Sequence, residues 1–216
     1  MTAKKTSIKD VARLANVSPT TVSRVINKSD HPVKKETKKK VEEAIEKLDY
    51  QPNRMAQGLI NNKSHAIGVI VHDISDNYFG QFVKGIEEVV FDYGYIINIY
   101  NTARNIEKEL DSVKMLRSIR AEALIFTGGS ILDKEYNKIM KQHIKALKKD
   151  ESIVIGIAKS PFDIKHFFSK MHKETTKIAT NHLISLNHRK IAYINGPDYI
   201  TTAQERLKGY KETLKE

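Results

Sequence analysis

The hydrophobic pattern changes its period near residue 64, and this change constrains the fold more than any other feature. Before residue 64, apolar residues recur every three or four positions, as in short amphipathic helices. After it, a continuous apolar run at residues 66–71 is typical of a buried parallel strand, and strand-like and helix-like segments then alternate. The sequence therefore predicts a small helical unit followed by a larger α/β unit.

Two helix starts lie close together near the amino terminus. The first helix can be capped by Thr6 or Ser7. Its apolar stripe consists of Ile8, Val11, Ala12 and Ala15. After a break at residues 16–18, Ser18 is suited to cap a second helix. Pro19 suits the first position of that helix, where a missing N–H costs nothing. The second helix is predicted over residues 19–26.

The second helix has an apolar side and a polar side. Val22, Val25 and Ile26 are placed to pack on the first helix. The side chains left outside are small hydroxyls and one arginine, namely Thr20, Thr21, Ser23 and Arg24. Two short helices joined by a tight turn, the second with such an outer face, predict a helix-turn-helix, an element that reads base edges in the major groove of DNA.

A third helix is predicted over residues 34–48, and its early part is rich in lysine: Lys34, Lys35, Lys38, Lys39 and Lys40. A lysine run is often only a solvated face, but beside a helix-turn-helix it is suited to phosphates. Residues 1–64 contain 14 lysines and arginines against 7 acidic residues, whereas the other 152 residues contain 23 against 19. A polyanion is therefore the expected partner of the first unit.

Composition excludes several classes of protein. With 40% hydrophobic and 29% charged residues, the chain can form a core and is not of low complexity. No stretch approaches the roughly 18 apolar residues of a membrane-spanning helix, and the amino terminus has no apolar segment of a secretory signal. The sequence contains no cysteine, which excludes disulfides and thiolate zinc sites. We expect a cytoplasmic protein without a metal or other cofactor.

Over about fifty residues, the order and spacing of these features are similar to those of one known family. The string IKDVARLANVSPTTVSRVIN, the lysine-rich helix and the string YQPNRMAQGL resemble the DNA-binding headpiece and hinge of the lactose-repressor (LacI/GalR) family of bacterial transcription regulators. The resemblance implies a sequence-specific repressor that binds a pseudo-palindromic double-stranded DNA operator as a homodimer, under the control of a small-molecule effector such as a sugar.

The resemblance also implies DNA-binding roles for individual residues. Those in the position of base contacts are Pro19, Thr20 and Arg24, of which Arg24 has the reach for a bidentate contact to guanine. Contacts to phosphates, or positioning contacts, are implied for Ser18, Thr21, Ser23, Asn27 and Tyr50. The hinge positions are Asn53, Arg54, Ala56 and Leu59, and Leu59 takes the place of the leucine that opens a base step in the minor groove.

The second part of the chain alternates strands and helices, which predicts a doubly wound parallel α/β sheet. Strands are predicted at residues 66–71, 96–100, 123–126, 153–157 and 191–194. Helices are predicted at residues 78–93, 105–118, 133–149, 174–186 and 202–215, and residues 159–173 are poorly patterned. Ligands of such sheets bind at the carboxyl ends of the strands.

The resemblance implies a periplasmic-binding-protein-like regulatory core, in which two such subdomains enclose the effector. The expected organisation is a headpiece at 1–52, a hinge at 53–64, a first α/β subdomain for effector binding and dimerisation at 65–160, and the start of an incomplete second subdomain at 161–216. The chain is then expected to be a truncated regulator. The effector-binding positions that the resemblance implies are His72, Asp73, Ser75, Asn77, Phe79 and Arg206.

Other classes of protein stay open at this point. A small-molecule-binding protein of the periplasmic type shares the α/β pattern but not the basic headpiece, and a truncated regulator without function shares both. An enzyme on the same sheet could use Asp73 and Asp76, yet the sequence has none of the motifs G-x-x-x-x-G-K-S/T, G-x-G-x-x-G or G-x-S-x-G. A regulator that is not an enzyme is the expected function.

Overall fold

A computed structural model describes residues 6–27, 31–52, 64–158, 160–168 and 171–215. Backbone contacts divide the chain into two compact units, Met1–Asn62 and Lys63–Glu216. We name them the headpiece unit and the α/β unit and describe each by itself. The division coincides with the change of hydrophobic period near residue 64.

The headpiece unit begins with α1 (Ile8–Ala15) and α2 (Pro19–Ile26), both at the predicted positions. At the start of α1, the carboxylate of Asp10 accepts hydrogen bonds from the backbone N–H of Ser7 at 3.0 Å and from its hydroxyl at 2.6 Å. The chain leaves α1 through Asn16, whose φ of 53° lies in the left-handed region that asparagine tolerates. The short turn that follows joins the two helices of a helix-turn-helix.

The third helix, α3 (Lys35–Lys47), completes a small core with the first two. The core residues come from all three helices and are at most 6% exposed: Val11, Ala12, Ala15, Val22, Val41 and Ala44. Partly buried residues, among them Ile8, Val25 and Ile45, pack around this core. The predicted apolar stripes of the three helices therefore face one another.

The α/β unit is built on parallel strands: β1 (Ala66–Val71), β2 (Ile96–Asn101), β3 (Ala123–Phe126), β4 (Ile153–Gly156) and β5 (His166–Phe167). Among the described residues they form one five-stranded sheet in the order β2-β1-β3-β4-β5. All six residues of β1 are buried because this strand lies between β2 and β3. The order is that of a doubly wound sheet.

Helices α4 (Asn77–Asp92), α5 (Ile106–Ser118) and α6 (Lys134–Lys149) connect the first four strands. Successive residues of β1 belong to two separate cores: Val69 clusters with Phe79 of α4, whereas Ile70 clusters with Leu116 of α5. Both faces of the sheet are thus covered, which confirms the predicted fold class. A Cβ at Gly68 would overlap the side chain of Leu116, so glycine permits β1 and α5 to approach this closely.

Strand β5 lies in the stretch for which the sequence pattern predicts no element. It pairs with β4, with His166 opposite Ile155 and Phe167 opposite Gly156. Helices α7 (His172–Ser185) and α8 (Thr201–Thr213) follow and pack on each other. The sheet therefore continues beyond residue 160, and the division into two α/β subdomains between residues 160 and 161 stays a prediction.

The strand predicted at residues 191–194 is wrong. These residues form no ladder with any described strand, and Ile194 is 96% exposed. The hydroxyl of Tyr210 donates to the carbonyl of Ile191 at 2.6 Å, and its ring stacks on Tyr193 with centroids 4.9 Å apart. An apolar segment becomes a strand only where a neighbour supplies hydrogen bonds, and the part of the chain that the structure describes supplies none here.

Candidate DNA-recognition surface and ligand cleft

The outer face of α2 is exposed at the positions that the resemblance assigns to base contacts. Pro19, Thr20 and Arg24 are exposed, while Val22 on the opposite side is fully buried. Thr20 and Arg24 are four residues apart and therefore lie on the same face of the helix. A guanidinium in this position can form two parallel hydrogen bonds with the edge of a guanine.

The hydroxyl groups around α2 bond to one another and to the helix backbone. Ser18 caps the helix because its Oγ accepts from the backbone N–H of Thr21 at 3.1 Å, and the two hydroxyl oxygens are 2.9 Å apart. At the other end, the amide of Asn27 donates to Ser23 Oγ at 3.2 Å. These contacts fix both ends of a short helix, and the phosphate contacts of the four side chains stay predictions.

The lysines at the start of α3 are exposed. Lys38 pairs with Glu42 at 3.7 Å and Lys39 with Glu43 at 3.9 Å, each four residues further along the helix. Because these lysines are 57% and 79% exposed, the pairs are screened by water and contribute little to stability. The ammonium groups remain accessible to phosphates.

The remaining DNA-binding predictions fall at the end of the headpiece unit. Tyr50 is half-buried and packs against the core, and its backbone N–H donates to the carbonyl of Ile45 at 3.0 Å. Asn53, Arg54, Ala56 and Leu59 lie outside the described residues. Their hinge roles stay predictions.

In the α/β unit, His72 lies at the carboxyl end of β1 and is only 7% exposed. Its Nε2 lies 3.1 Å from the carbonyl oxygen of Gly129, to which it can donate, and its ring meets Phe79 edge-on with centroids 5.6 Å apart. Burial lowers the pKa of His72, and the positive charge of Arg104 lowers it further. The imidazole therefore joins the carboxyl ends of β1 and β3, in surroundings that favour its uncharged form.

Two glycines make room for this arrangement. A Cβ at Gly128 would overlap the ring of His72, and a Cβ at Gly129 would lie 2.7 Å from the side chain of Thr202. The loop after β3 therefore passes close to the histidine on one side and to the start of α8 on the other. The sequence shows the two glycines but not these neighbours.

The same loop holds the chain that enters α8. The N–H of Ser130 donates to Thr201 Oγ1 at 3.0 Å, and the N–H of Thr201 donates to the carbonyl of Ser130 at 3.0 Å. Ile131 forms an antiparallel bridge with Ile200 next to this pair. Sequence reasoning missed Ser130 and Thr201. A signal was available, because the carboxyl ends of parallel strands meet at one edge of the sheet, so the residues after β3 lie near those after β1.

Of the other effector-binding predictions, Asp73, Ser75 and Asn77 follow β1 directly, whereas Arg206 is on α8. Asp73 and Ser75 are exposed, and Asp73 Oδ1 accepts from the backbone N–H of Ser75 at 3.0 Å and from its hydroxyl at 2.7 Å. These bonds lower the pKa of Asp73 because they favour its charged form. Asn77 is exposed at the start of α4 and Arg206 is exposed on α8. The edge thus offers donors and acceptors to a small polar ligand.

Phe79 is buried, unlike Asp73, Ser75, Asn77 and Arg206. It is 7% exposed and belongs to the core that β1 forms with α4. The ring of Phe79 is therefore covered in this structure by the protein itself. Phe79 lies beside His72, near the carboxyl end of β1, and its ligand contact stays a prediction.

The described part of the chain offers no metal site and no membrane span. It contains no cluster of three or more histidine, aspartate or glutamate side chains able to hold a metal ion. No helix there has the length and apolar character needed to cross a membrane. Asp73 and Asp76, the acids that an enzyme could use, bond instead to Ser75 and to the backbone N–H of Tyr78.

Two family models match consecutive parts of the sequence. That of bacterial regulatory proteins of the lacI family matches residues 7–53. That of periplasmic binding proteins and the sugar binding domain of the LacI family matches residues 64–216, which is most of the chain. The chain belongs to the LacI family.

Relatives of this LacI-family chain match nearly all of its length. The ribose operon repressor of Halalkalibacterium halodurans is 34% identical over 211 residues, which are 98% of this chain and 60% of that protein. Catabolite control protein A of Staphylococcus xylosus is 37% identical over 214 residues, which are 96% of this chain and 61% of that protein. The chain thus spans about three fifths of the length of these relatives.

A solved structure shows the same LacI-family fold. In the crystal structure of the lac repressor dimer bound to operator and the anti-inducer ONPF, the matching chain is 28% identical and superimposes with a TM-score of 0.78. The match covers 98% of this chain and 62% of that one. It agrees with a helix-turn-helix unit followed by a periplasmic-binding-protein-like α/β unit.

Proposed function

We propose that this LacI-family chain is a sequence-specific DNA-binding transcription regulator, a repressor that acts in the cytoplasm and is not an enzyme. The observation that carries the proposal is the exposed outer face of α2, which presents Thr20 and Arg24 in a unit matched by the lacI family over residues 7–53. The names of the relatives, which include an operon repressor and a catabolite control protein, support the same function.

In this proposal the headpiece unit binds DNA through two surfaces, one for bases and one for phosphates. Arg24 reads a guanine in the major groove, worth roughly 1–3 kcal/mol of discrimination against other bases, with Thr20 and Pro19 as its neighbours. The exposed lysines at the start of α3 bind phosphates, which supplies affinity without sequence information. Leu59 and the other hinge residues enter the minor groove and bend the duplex.

The functional form that we propose is a homodimer on a pseudo-palindromic operator, because one small headpiece offers few base contacts. The α/β unit has an apolar surface suited to a second copy: at the end of α4, Val89 is 61%, Phe91 70% and Tyr93 74% exposed. A shallow apolar groove lies beside these residues, lined by Gln81, Phe82, Gly85, Ile86, Val89 and Val90. Exposed apolar patches of this kind mark protein interfaces.

A small polar molecule, such as a sugar or a related metabolite, is the effector that we propose for the edge around His72, Asp73, Ser75, Asn77, Phe79 and Arg206. The support is the cluster of hydrogen-bonding groups at the carboxyl ends of β1 and β3, together with the match to a sugar binding domain over residues 64–216. The two α/β subdomains of the proposal, 65–160 and 161–216, meet at this edge, and the effector changes the distance between paired hinges.

The test is a mobility-shift titration of the whole chain on two duplexes at two salt concentrations. One duplex is palindromic and selected for binding from a randomised pool, and the other is unselected. A regulator prefers the selected duplex and also loses affinity steeply as salt rises, because phosphate contacts release counterions. Equal affinity for both duplexes at both salt concentrations would reject the proposal.

The alternative is a small-molecule-binding protein of the periplasmic type with no role on DNA. It shares the α/β unit, but the basic headpiece unit and its match to the lacI family count against it. The same titration separates the two, since a protein of that class shows neither sequence preference nor a steep salt dependence on DNA.

A further inference from the structure

Helix α6 carries a row of exposed lysines along one face, which we name the lysine stripe: Lys134, Lys138, Lys141, Lys145 and Lys149. Their spacing of three and four residues places them within an arc of about 80° at 3.6 residues per turn. The core-facing side of the helix is formed by Tyr136, Met140, Ile144 and Leu147, all 2% exposed or less. The stripe therefore lies opposite the core.

The stripe is not arranged to stabilise the helix. Some exposed lysines of the other helices pair with a glutamate four residues later, as in Lys38–Glu42 and Lys84–Glu88. In α6 the residue four positions after Lys134, Lys141 and Lys145 is another lysine. Like charges at this spacing destabilise a helix, so the arrangement needs another explanation.

Acidic side chains close to α6 do not neutralise the stripe. Among the described residues, the one acid within ion-pair distance of it is Glu135, 3.8 Å from Lys138, with both side chains about 70% exposed. Three other nearby acids are paired with cations outside the stripe, in the pairs Asp111–Lys114, Asp150–Arg117 and Asp163–Lys148. The positive charge of the stripe is left for a partner.

We propose that the lysine stripe binds the phosphate backbone of duplex DNA and gives the α/β unit a nucleic-acid contact of its own. The stripe extends over 15 residue steps, or about 22 Å at 1.5 Å per residue. A uniform row of cations fits duplex DNA, which carries about one negative charge per 1.7 Å of its axis. Lysines contact phosphates as point charges, so this contact adds affinity and not base recognition. It goes beyond the proposed function, which places DNA binding in the headpiece unit and the hinge.

The experiment compares two variants of the whole chain that lose the same charge. The stripe variant carries Lys138→Gln, Lys141→Gln, Lys145→Gln and Lys149→Gln. The control variant removes four lysines that are exposed elsewhere in the α/β unit: Lys108→Gln, Lys165→Gln, Lys190→Gln and Lys211→Gln. Affinity is measured by fluorescence anisotropy over a salt series on a duplex of about 20 base pairs, which holds two half-sites, and on one of about 60 base pairs.

On the long duplex, we expect the stripe variant to bind at least about tenfold more weakly at low salt than the control variant. The slope of log affinity against log salt should become shallower by about 0.9 for each phosphate that the variant no longer neutralises. On the short duplex, the control variant should bind within about twofold of the unsubstituted chain, since it keeps both the headpiece unit and the lysine stripe. Equal affinities of the stripe and control variants on the long duplex would overturn the proposal.

A charge-preserving variant separates charge from folding. Arginine at the same four positions should restore binding to the long duplex, and binding as weak as that of the glutamine variant would show that charge is not the cause and overturn the proposal. Poly-glutamate serves as a probe for an acidic protein partner. Unchanged DNA binding with loss of poly-glutamate binding would assign the stripe to such a partner and reject DNA. Failure of the proposed function itself is seen separately, as a lack of sequence preference by the unsubstituted chain on the short duplex.

Discussion

The hydroxyl of Tyr136 donates a hydrogen bond to Glu109 Oε1 at 2.5 Å, and both side chains are buried in the α/β unit. Glu109 lies on α5 and Tyr136 on α6, so the bond joins two helices on one face of the sheet. Among the described residues, the second carboxyl oxygen of Glu109 has no hydrogen-bond partner. Burial raises the pKa of Glu109, because an ionised carboxylate loses its hydration there.

The first prediction concerns the pH dependence of stability. Because the pKa of Glu109 is higher in the folded state, its favourable contribution is complete below the ordinary value of 4.5 and is lost as pH rises through the folded value. The variant Glu109→Gln does not titrate at this position. The free energy of unfolding of the variant, minus that of the unsubstituted chain, should therefore increase from pH 5 to pH 8. Urea unfolding at several pH values measures the difference, and a difference that is constant with pH would contradict the prediction.

A matched variant tests the other half of the pair. Tyr136→Phe keeps the ring in the core and removes the donor, which leaves the buried carboxyl without its hydrogen bond. The expected loss is about 1–3 kcal/mol, larger at pH 8 than at pH 5 because the charged form depends more on the donor. In the Glu109→Gln background the same substitution should lose its pH dependence.

The second prediction concerns the contact between His72 and the loop after β3. Gly128→Ala places a Cβ where the imidazole lies, which should destabilise the chain by about 1–3 kcal/mol through overpacking. In a His72→Ala background the space is empty, and the same substitution should cost less than about 0.5 kcal/mol. Thermal or urea unfolding of the four proteins in this cycle measures the coupling.

Gly85→Ala is the control for that cycle. An added Cβ at Gly85 meets nothing within 4 Å, and the residue lies inside α4. Alanine there should stabilise the helix by roughly 0.5–1 kcal/mol, because glycine is the poorer helix former. If Gly128→Ala behaves like Gly85→Ala, or if the cost at Gly128 is unchanged without His72, the proposed packing is wrong.

The elements that sequence reasoning predicted well are those whose causes are local. Ser18 and Pro19 start α2 through a cap and a fixed φ, and the continuous apolar run at residues 66–71 is itself the signal of the buried strand β1. β5 was missed because it consists of two residues whose only signal is the partner strand β4. Residues 191–194 have the apolar content of a strand but, in the part of the chain that the structure describes, no strand beside them.

In the candidate sites too, sequence reasoning predicted only what local patterns determine. The exposure of Arg24 followed from helical periodicity, which places it opposite the buried Val22. The burial of His72 could not be predicted from a local pattern, because it depends on Gly128 and Gly129, which are more than fifty positions away in the sequence. Contacts between distant loops are decided by the packing of strands and helices, and local patterns do not contain that information.

The third prediction concerns the start of α2. Ser18→Ala removes the side-chain oxygen that accepts from the N–H of Thr21, and the expected cost is about 1 kcal/mol of headpiece stability. Ser18→Asn retains an acceptor at the cap and should restore most of that loss. Thermal unfolding followed by circular dichroism measures both, and equal stability of the two variants would show that Ser18 does not act as a cap.

The last prediction separates base reading from phosphate binding in the headpiece unit. Arg24→Ala should relax base preference, with a loss of roughly 1–3 kcal/mol of discrimination at one position of the selected duplex. Lys39→Ala should weaken binding to all duplexes alike and make the salt slope shallower by about 1, because it removes one phosphate contact. Lys39 is 79% exposed, so its removal should leave the fold intact.

Selection of preferred sequences by each variant measures the first effect, and salt titration on selected and unselected duplexes measures the second. Glu43→Gln is the control, since it removes the ion-pair partner of Lys39 at 3.9 Å but keeps the ammonium group, and it should bind DNA at least as well as the unsubstituted chain. Identical shifts in preference and in salt slope for Arg24→Ala and Lys39→Ala would contradict the two roles. They would place both side chains on the phosphate backbone, and sequence recognition would then need another residue on the outer face of α2.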